Sequence, residues 1–213
     1  AHHEDASAAT LVAAAFDFAV QAHGDQVRAS GEPYVTHPAE AALILADLGL
    51  DATTLAAALL HDVPEDTIIT TTELGDRFGD EVATLVDGVT KLSKFSALTA
   101  EEQHAENIRK MFLAMSQDIR VVLIKLGDRL HNMRTLAALG VEKQRRIARQ
   151  TLEIYAPLAE RLGIWQVKWE LEDLAFKALE PERYHELARL VDMRRDVRAA
   201  YVTRAIEVLR PEL

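Results

Sequence analysis

No stretch of this chain alternates apolar and polar side chains for long, which excludes the half-buried strand as its recurring unit. Apolar residues return instead at helical spacing, as Leu11, Ala15, Phe18 and Ala22 do. Nine glycines and six prolines in 213 residues leave room for long helices, and the abundant alanine, leucine, glutamate and arginine favour them. The expected fold class is all-α. An apolar fraction of 49% suits a folded chain with one substantial core, with or without a helical appendage. No apolar run reaches the roughly 18 residues of a membrane span or resembles a signal peptide, and zero cysteines exclude disulfides and thiolate metal sites. A cytoplasmic protein with no membrane partner is expected. A net charge of −10 argues against direct nucleic-acid binding, which needs clustered lysine and arginine. A polyanionic small ligand would need local cations or a metal.

The punctuation of the helices places the polar residues. "HGDQVRASGEPYVTHP" breaks the first helical period, and Pro38 suits a first helical turn, so His37 stands at the mouth of a helix running to Gly49. Asp51 is an N-cap for "ATTLAAALLHD", and Pro64 disfavours helical geometry at Val63, which predicts a stop near Asp62. Thr70 with Glu73, and Thr99 with Glu102, read as capping boxes. "KLSKFSALTAEEQHAEN" is the most polar interior stretch and is expected to be mobile near a site. From Tyr155 onward the pattern is one of long amphipathic helices, with a soft boundary near residue 150.

"DIRVVLIKLGDRLHNMRTLAAL" reads as one long helix. At roughly 100° per residue, Asn132, Thr135 and Leu139 fall within about 40° of Asp128, opposite the main apolar stripe. Val121 and Ile124 share that polar side, which predicts a face half buried around a pocket, where a carboxylate needs a partner or a metal. His37 at one helix mouth, His61 and Asp62 at one helix end, and Asp128 on this face are two imidazoles and two carboxylates from three segments. Such a set suits Mn, Zn, Fe or Co, with a partly aquated octahedral ion such as Mn favoured. Such a cation would lower the pKa of a bound water, and Glu65 or Asp66 stands ready to take its proton.

"HP" at 37, "LLHDVPEDT" at 59 and "IKLGDRLHNMRTL" at 124, in that order, resemble the HD-type metal-dependent phosphohydrolases. With "SGEPYVTHP", "DGVTKL" and "YAPLAERLGIWQVKWELEDLAF", the chain is similar over nearly its whole length to the hydrolase domain of the long, two-activity RelA/SpoT homologues. The resemblance implies an HD-like helical bundle over residues 1–150 and a helical extension, 151–213, leading toward synthetase and regulatory domains. It implies an Mn-dependent alarmone hydrolase of the stringent response, removing pyrophosphate from the 3′ position of guanosine tetra- and pentaphosphate. By the same resemblance His37, His61, Asp62 and Asp128 are the metal ligands, and Glu65 and Asp66 the paired acids beside the bound water. Asn132 and Thr135 contact the nucleotide, Leu139 walls the base pocket, and Arg28 lies on the guanine.

Three positions depart from the family pattern. Ala29 stands where relatives often have lysine, Pro64 where valine is common, and Gly127 where alanine is common. Lys91, Lys94, Lys125 and Arg129 remain as candidate phosphate counter-charges. Two other readings stand beside the first: an HD phosphohydrolase acting on another nucleotide, and a module that senses the nucleotide without turning it over.

Overall fold

The computed structural model describes residues 2–93, Arg109 and 117–191, and within them the chain is helical, with one isolated bridge between Val27 and Pro33. The all-α expectation holds. Helices α1 (His2–His23), α2 (Thr36–Asp47), α3 (Ala52–Leu60), α4 (Val63–Asp66), α5 (Thr71–Phe78) and α6 (Asp80–Ser93) form the first half. Helix α7 (Ile119–Arg134) and a 3₁₀ turn (Leu136–Ala138) open the second. Then come α8 (Val141–Gln150), a π turn (Thr151–Tyr155), α9 (Ala156–Arg161) and α10 (Trp165–Leu179), with residues 181–191 again helical. The second capping box, at Thr99 and Glu102, and most of the polar stretch after Lys91 lie outside the described residues.

Caps fall where their chemistry puts them. Asp51 accepts from the Thr54 amide at 3.0 Å, and Thr70 and Glu73 form a reciprocal capping box. The helix stops near Asp62 as expected, α3 ending at Leu60 with His61 as its C-cap, but Pro64 does not keep Val63 out of helical geometry. It lies in the first turn of the short helix α4, where its missing N–H has no partner to lose, so Val63 is helical. The Glu65 and Asp66 amides donate to the Asp62 carbonyl at 3.0 and 2.9 Å, tying the acids to Asp62 rather than turning them away.

Two apolar clusters form, and α2 and α7 serve both. Leu45 of α2 with Val121 and Ile124 of α7 joins α1, α3, α5 and α6. Ile44 with Val122, Leu126, Leu130 and Met133 joins α8 to α10 and the turns between. The side of α7 that carries Asp128 is thus buried, as Val121 and Ile124 predicted. The helices approach tightly at Gly127, where a Cβ would meet the Ala41 carbonyl oxygen at 3.1 Å and Leu45 Cγ at 3.3 Å. Residue 150 falls inside one helical run from Val141 to Arg161, interrupted by the π turn just before Pro157, which cannot donate back into the preceding turn.

Candidate metal and nucleotide site

The seam between the two clusters holds the acid and imidazole groups. His37, in the first turn of α2, His61, at the C-cap of α3, and Asp128, mid-way along α7, are all buried. Each offers one ligand atom, and these atoms lie within 4.8 Å of one another. Asp62 closes the group, its Oδ2 3.5 Å from His37 Nε2 and its Oδ1 3.1 Å from His61 Nε2. His37 Nε2 lies 3.1 Å from Asp128 Oδ1. The four residues that the sequence singles out therefore meet, and their donor set of imidazole nitrogen and carboxylate oxygen fits a divalent first-row metal ion.

Orientation is set from behind. His61 Nδ1 lies 2.7 Å from the Ala58 carbonyl oxygen, which can only accept, so the Nδ1 proton is fixed there and Nε2 faces Asp62. That Nε2 is buried and makes no hydrogen bond, its neighbour Asp62 Oδ1 being close but out of line. Its lone pair is free to take a proton or a metal ion. Burial works against the protonated form, but the charge of Asp62, then of Asp128, pushes His61 up to about 9. Burial likewise opposes ionisation of Asp62, and the charge on His61 outweighs it, holding Asp62 at about 2. For Asp128 burial is overcome first by Lys125, whose ammonium lies 2.7 Å from Oδ2, and the carboxyl is held well below the usual range. Such a centre favours positive charge.

Two residues unannounced by the sequence reading complete it. His131, one turn below Asp128, places Nδ1 2.7 Å from His37 Nδ1. Burial, then the charges of His37 and Arg28, lowers it to about 4, so it is neutral at ordinary pH. Tyr34, in the loop before α2, donates to Asp66 Oδ2 at 2.5 Å and to Asp62 Oδ2 at 3.3 Å. Burial, the charge of Asp62 and the bond to Asp66 raise its phenol well above the ordinary value, so it remains a donor. His131 was readable, since it lies about 60° from Asp128 around the helix. Tyr34 was not, because its direction depends on the loop, where the Arg28 amide donates to the Glu32 carbonyl at 2.9 Å.

Beside the acid group opens a cavity of about 470 Å³, within the range of small-molecule sites. Arg28, Asn132, Thr135 and Leu139 all line it, with Tyr34 and Asp128 at the shared wall. Asn132 spans the two regions: its amide donates to Asp128 Oδ1, and its oxygen accepts from Arg28 Nη2 at 2.9 Å. Arg28 Nη1 is buried without a partner, a donor that a ligand can satisfy. Gln144 donates to the Leu139 carbonyl at 2.6 Å and holds that wall. Ala29 also lines the cavity, where a lysine would add a charge. Of the candidate counter-charges, Lys125 and Arg129 line it too, whereas Lys91 is exposed and pairs with Asp87 on its own helix. Lys94 lies outside the described residues. Glu65 and Asp66 are exposed and neither lines the cavity, but Asp66 is tied to Tyr34, which does.

The sequence pattern of the HD domain matches residues 15–165. The chain belongs to the HD-domain family. This HD domain is 55% identical over 200 residues to a protein of Synechocystis sp. named probable guanosine-3′,5′-bis(diphosphate) 3′-pyrophosphohydrolase, covering 94% of this chain and 26% of that relative. It is 51% identical over 206 residues to a Myxococcus xanthus protein named GTP pyrophosphokinase, covering 95% and 27%. A solved structure, described as a metazoan ortholog of SpoT that hydrolyses ppGpp and plays a role in starvation responses, superposes with a TM-score of 0.63 at 26% identity. It covers 78% of the HD domain's chain and 94% of its own. The resemblance to the hydrolase domain of RelA/SpoT homologues therefore holds, and the chain spans about a quarter of the length of the curated relatives it matches.

Proposed function

We propose that this HD domain hydrolyses guanosine tetra- and pentaphosphate at the 3′ position, releasing pyrophosphate and leaving GDP or GTP. The observation that carries the proposal is the convergence of ligand atoms from His37, His61 and Asp128 within 4.8 Å, with Asp62 against both histidines, beside a cavity lined by Arg28 and Asn132. The relatives named for 3′-pyrophosphohydrolysis and the HD pattern support it. His37, His61, Asp62 and Asp128 would hold the metal, which we assign as Mn; when bound it would supply an acidified water and positive charge toward the phosphoryl oxygens.

The chain's own residues do the rest. Arg28 stacks its flat guanidinium on the guanine, and Leu139 closes the base pocket. Asn132 and Thr135 position the nucleotide, and Asn132, by its bond to Asp128, sets the base pocket at a fixed distance from the metal ligands. Glu65 or Asp66 accepts the proton that water loses, with the Tyr34 hydroxyl orienting Asp66. The 3′ oxygen leaves with a proton as the ribose hydroxyl. Lys125 balances Asp128, and Arg129, stacked 4.0 Å from the Tyr155 ring centroid, supplies a second cation at the cavity wall.

The whole protein is proposed as a cytoplasmic two-activity enzyme, with synthetase and regulatory domains beyond this portion. Among the described residues no helix is long and apolar enough to cross a membrane. Metal content and turnover measured together test the reading: the wild-type chain should bind Mn and lose activity on chelation, and Asp128→Ala should lose both. Nucleotide binding with intact metal and no product would instead support the sensing module.

A further inference from the structure

We propose that His131 is a positioning residue that sets the tautomer of His37 and so tunes metal affinity. The inference rests on the reading of His37, His61, Asp62 and Asp128 as a metal centre. His37 Nε2 faces Asp62 and Asp128, so it must be the ligand atom and carry no proton when a metal is bound. A neutral imidazole then keeps its proton on Nδ1. The group opposite is another imidazole nitrogen, His131 Nδ1 at 2.7 Å, and two ring nitrogens at that separation share one proton. His37 therefore donates and His131 accepts, with the His131 proton on its far nitrogen.

This arrangement differs from that of His61, whose Nδ1 proton is fixed by a main-chain carbonyl at 2.7 Å. A carbonyl can only accept, whereas an imidazole nitrogen can donate or accept, so the tautomer of His37 is paired with that of His131. The neighbouring helix turn makes the coupling direct: Asp128, itself a ligand, lies three residues before His131 on α7, and His37 lies on α2. His131 thus reaches one ligand, His37 on α2, from the helix that carries another, Asp128. The rings are tilted at 45° with centroids 4.9 Å apart, so this contact is an edge-on nitrogen pair and not a stack.

The test uses the whole chain, Mn alone as probe and two variants. His131→Asn keeps an acceptor oxygen near the Nδ1 position, and His131→Leu fills a similar volume with none. Mn affinity by calorimetric titration, together with the melting temperature of the chelator-treated protein, separates positioning from packing. Loss of an outer partner of a metal-bound histidine typically weakens binding about 10- to 100-fold. His131→Leu should show that loss, and His131→Asn should recover most of it even where both variants melt below wild type. Equal loss in both variants, or unchanged affinity in His131→Leu, would overturn the proposal. A wild-type chain with no Mn site at all would overturn the metal centre, and this inference with it.

Discussion

At the residue scale the paired acids and the arginine make different predictions. Glu65→Gln and Asp66→Asn preserve shape and remove the carboxylate, so each should keep Mn and nucleotide binding while kcat falls by about 10²- to 10⁴-fold for whichever residue takes the proton. Near-normal kcat in both variants would remove these acids from the mechanism. Because Tyr34 binds Asp66 at 2.5 Å, the larger loss is expected at Asp66. Arg28→Ala should act chiefly on KM: a stacking contact of roughly 1 to 2 kcal/mol corresponds to about 5- to 30-fold in affinity. An unchanged KM would place the base elsewhere. The convergence of His37, Asp128 and Asn132 was legible because they sit on helices, where a fixed angle per residue converts spacing into direction, whereas Arg28 shares the loop of Tyr34 and came only from the family resemblance. His131 obeys the same geometry, about 60° from Asp128 around the helix, and was open to the same reading. Tyr34 belongs to a loop, and no period gives its aim.

At the scale of elements the site depends on how α2 and α7 meet. Gly127 permits that contact, since a Cβ would already press on the Ala41 carbonyl and on Leu45. Gly127→Leu should therefore force the helices apart, destabilise the chain by about 1 to 3 kcal/mol as overpacking does, and weaken Mn binding through the His37 and Asp128 spacing. Denaturant unfolding and calorimetry on one variant read both effects, and a drop in stability with unaltered metal affinity would detach the site from this contact. Asp51 gives a pH dependence. Burial raises its pKa, but hydrogen bonds from the Thr54 amide and hydroxyl outweigh it and hold the carboxyl below its ordinary value. A depressed carboxyl contributes stability above its unfolded value and loses it as pH falls through the folded one. Asp51→Ala should cost about 1 kcal/mol near neutral pH, shrinking toward zero in acid. A difference independent of pH would mean that the cap acts without its charge. Caps such as Asp51 and Thr70 were legible from side-chain chemistry alone. Pro64 was misread because proline's effect depends on whether it falls inside a helix or in its first turn, which only the neighbouring turn decides.

At the scale of the whole molecule, the function rests on two apolar clusters sharing α2 and α7. The acids, imidazoles and cavity lie along that shared seam, so cluster one delivers His61 and Asp62 while cluster two delivers the wall at Leu139 and Gln144. The division of residues into clusters was not legible, because Ile44 and Leu45 are adjacent and chemically alike yet face opposite sides. What was legible was the order of motifs along the chain, which fixes which segments must converge. The central claim is that the converged site removes pyrophosphate from a guanosine 3′ diphosphate with the help of a bound metal. Phosphorus NMR of the products after the whole chain is incubated with Mn and guanosine tetraphosphate, recorded once the paramagnetic Mn has been removed on a chelating resin, tests it most directly. GDP and pyrophosphate should appear in equal amounts and stop on chelation. Release of orthophosphate, or an unchanged tetraphosphate spectrum beside a fully metal-loaded protein, would contradict it.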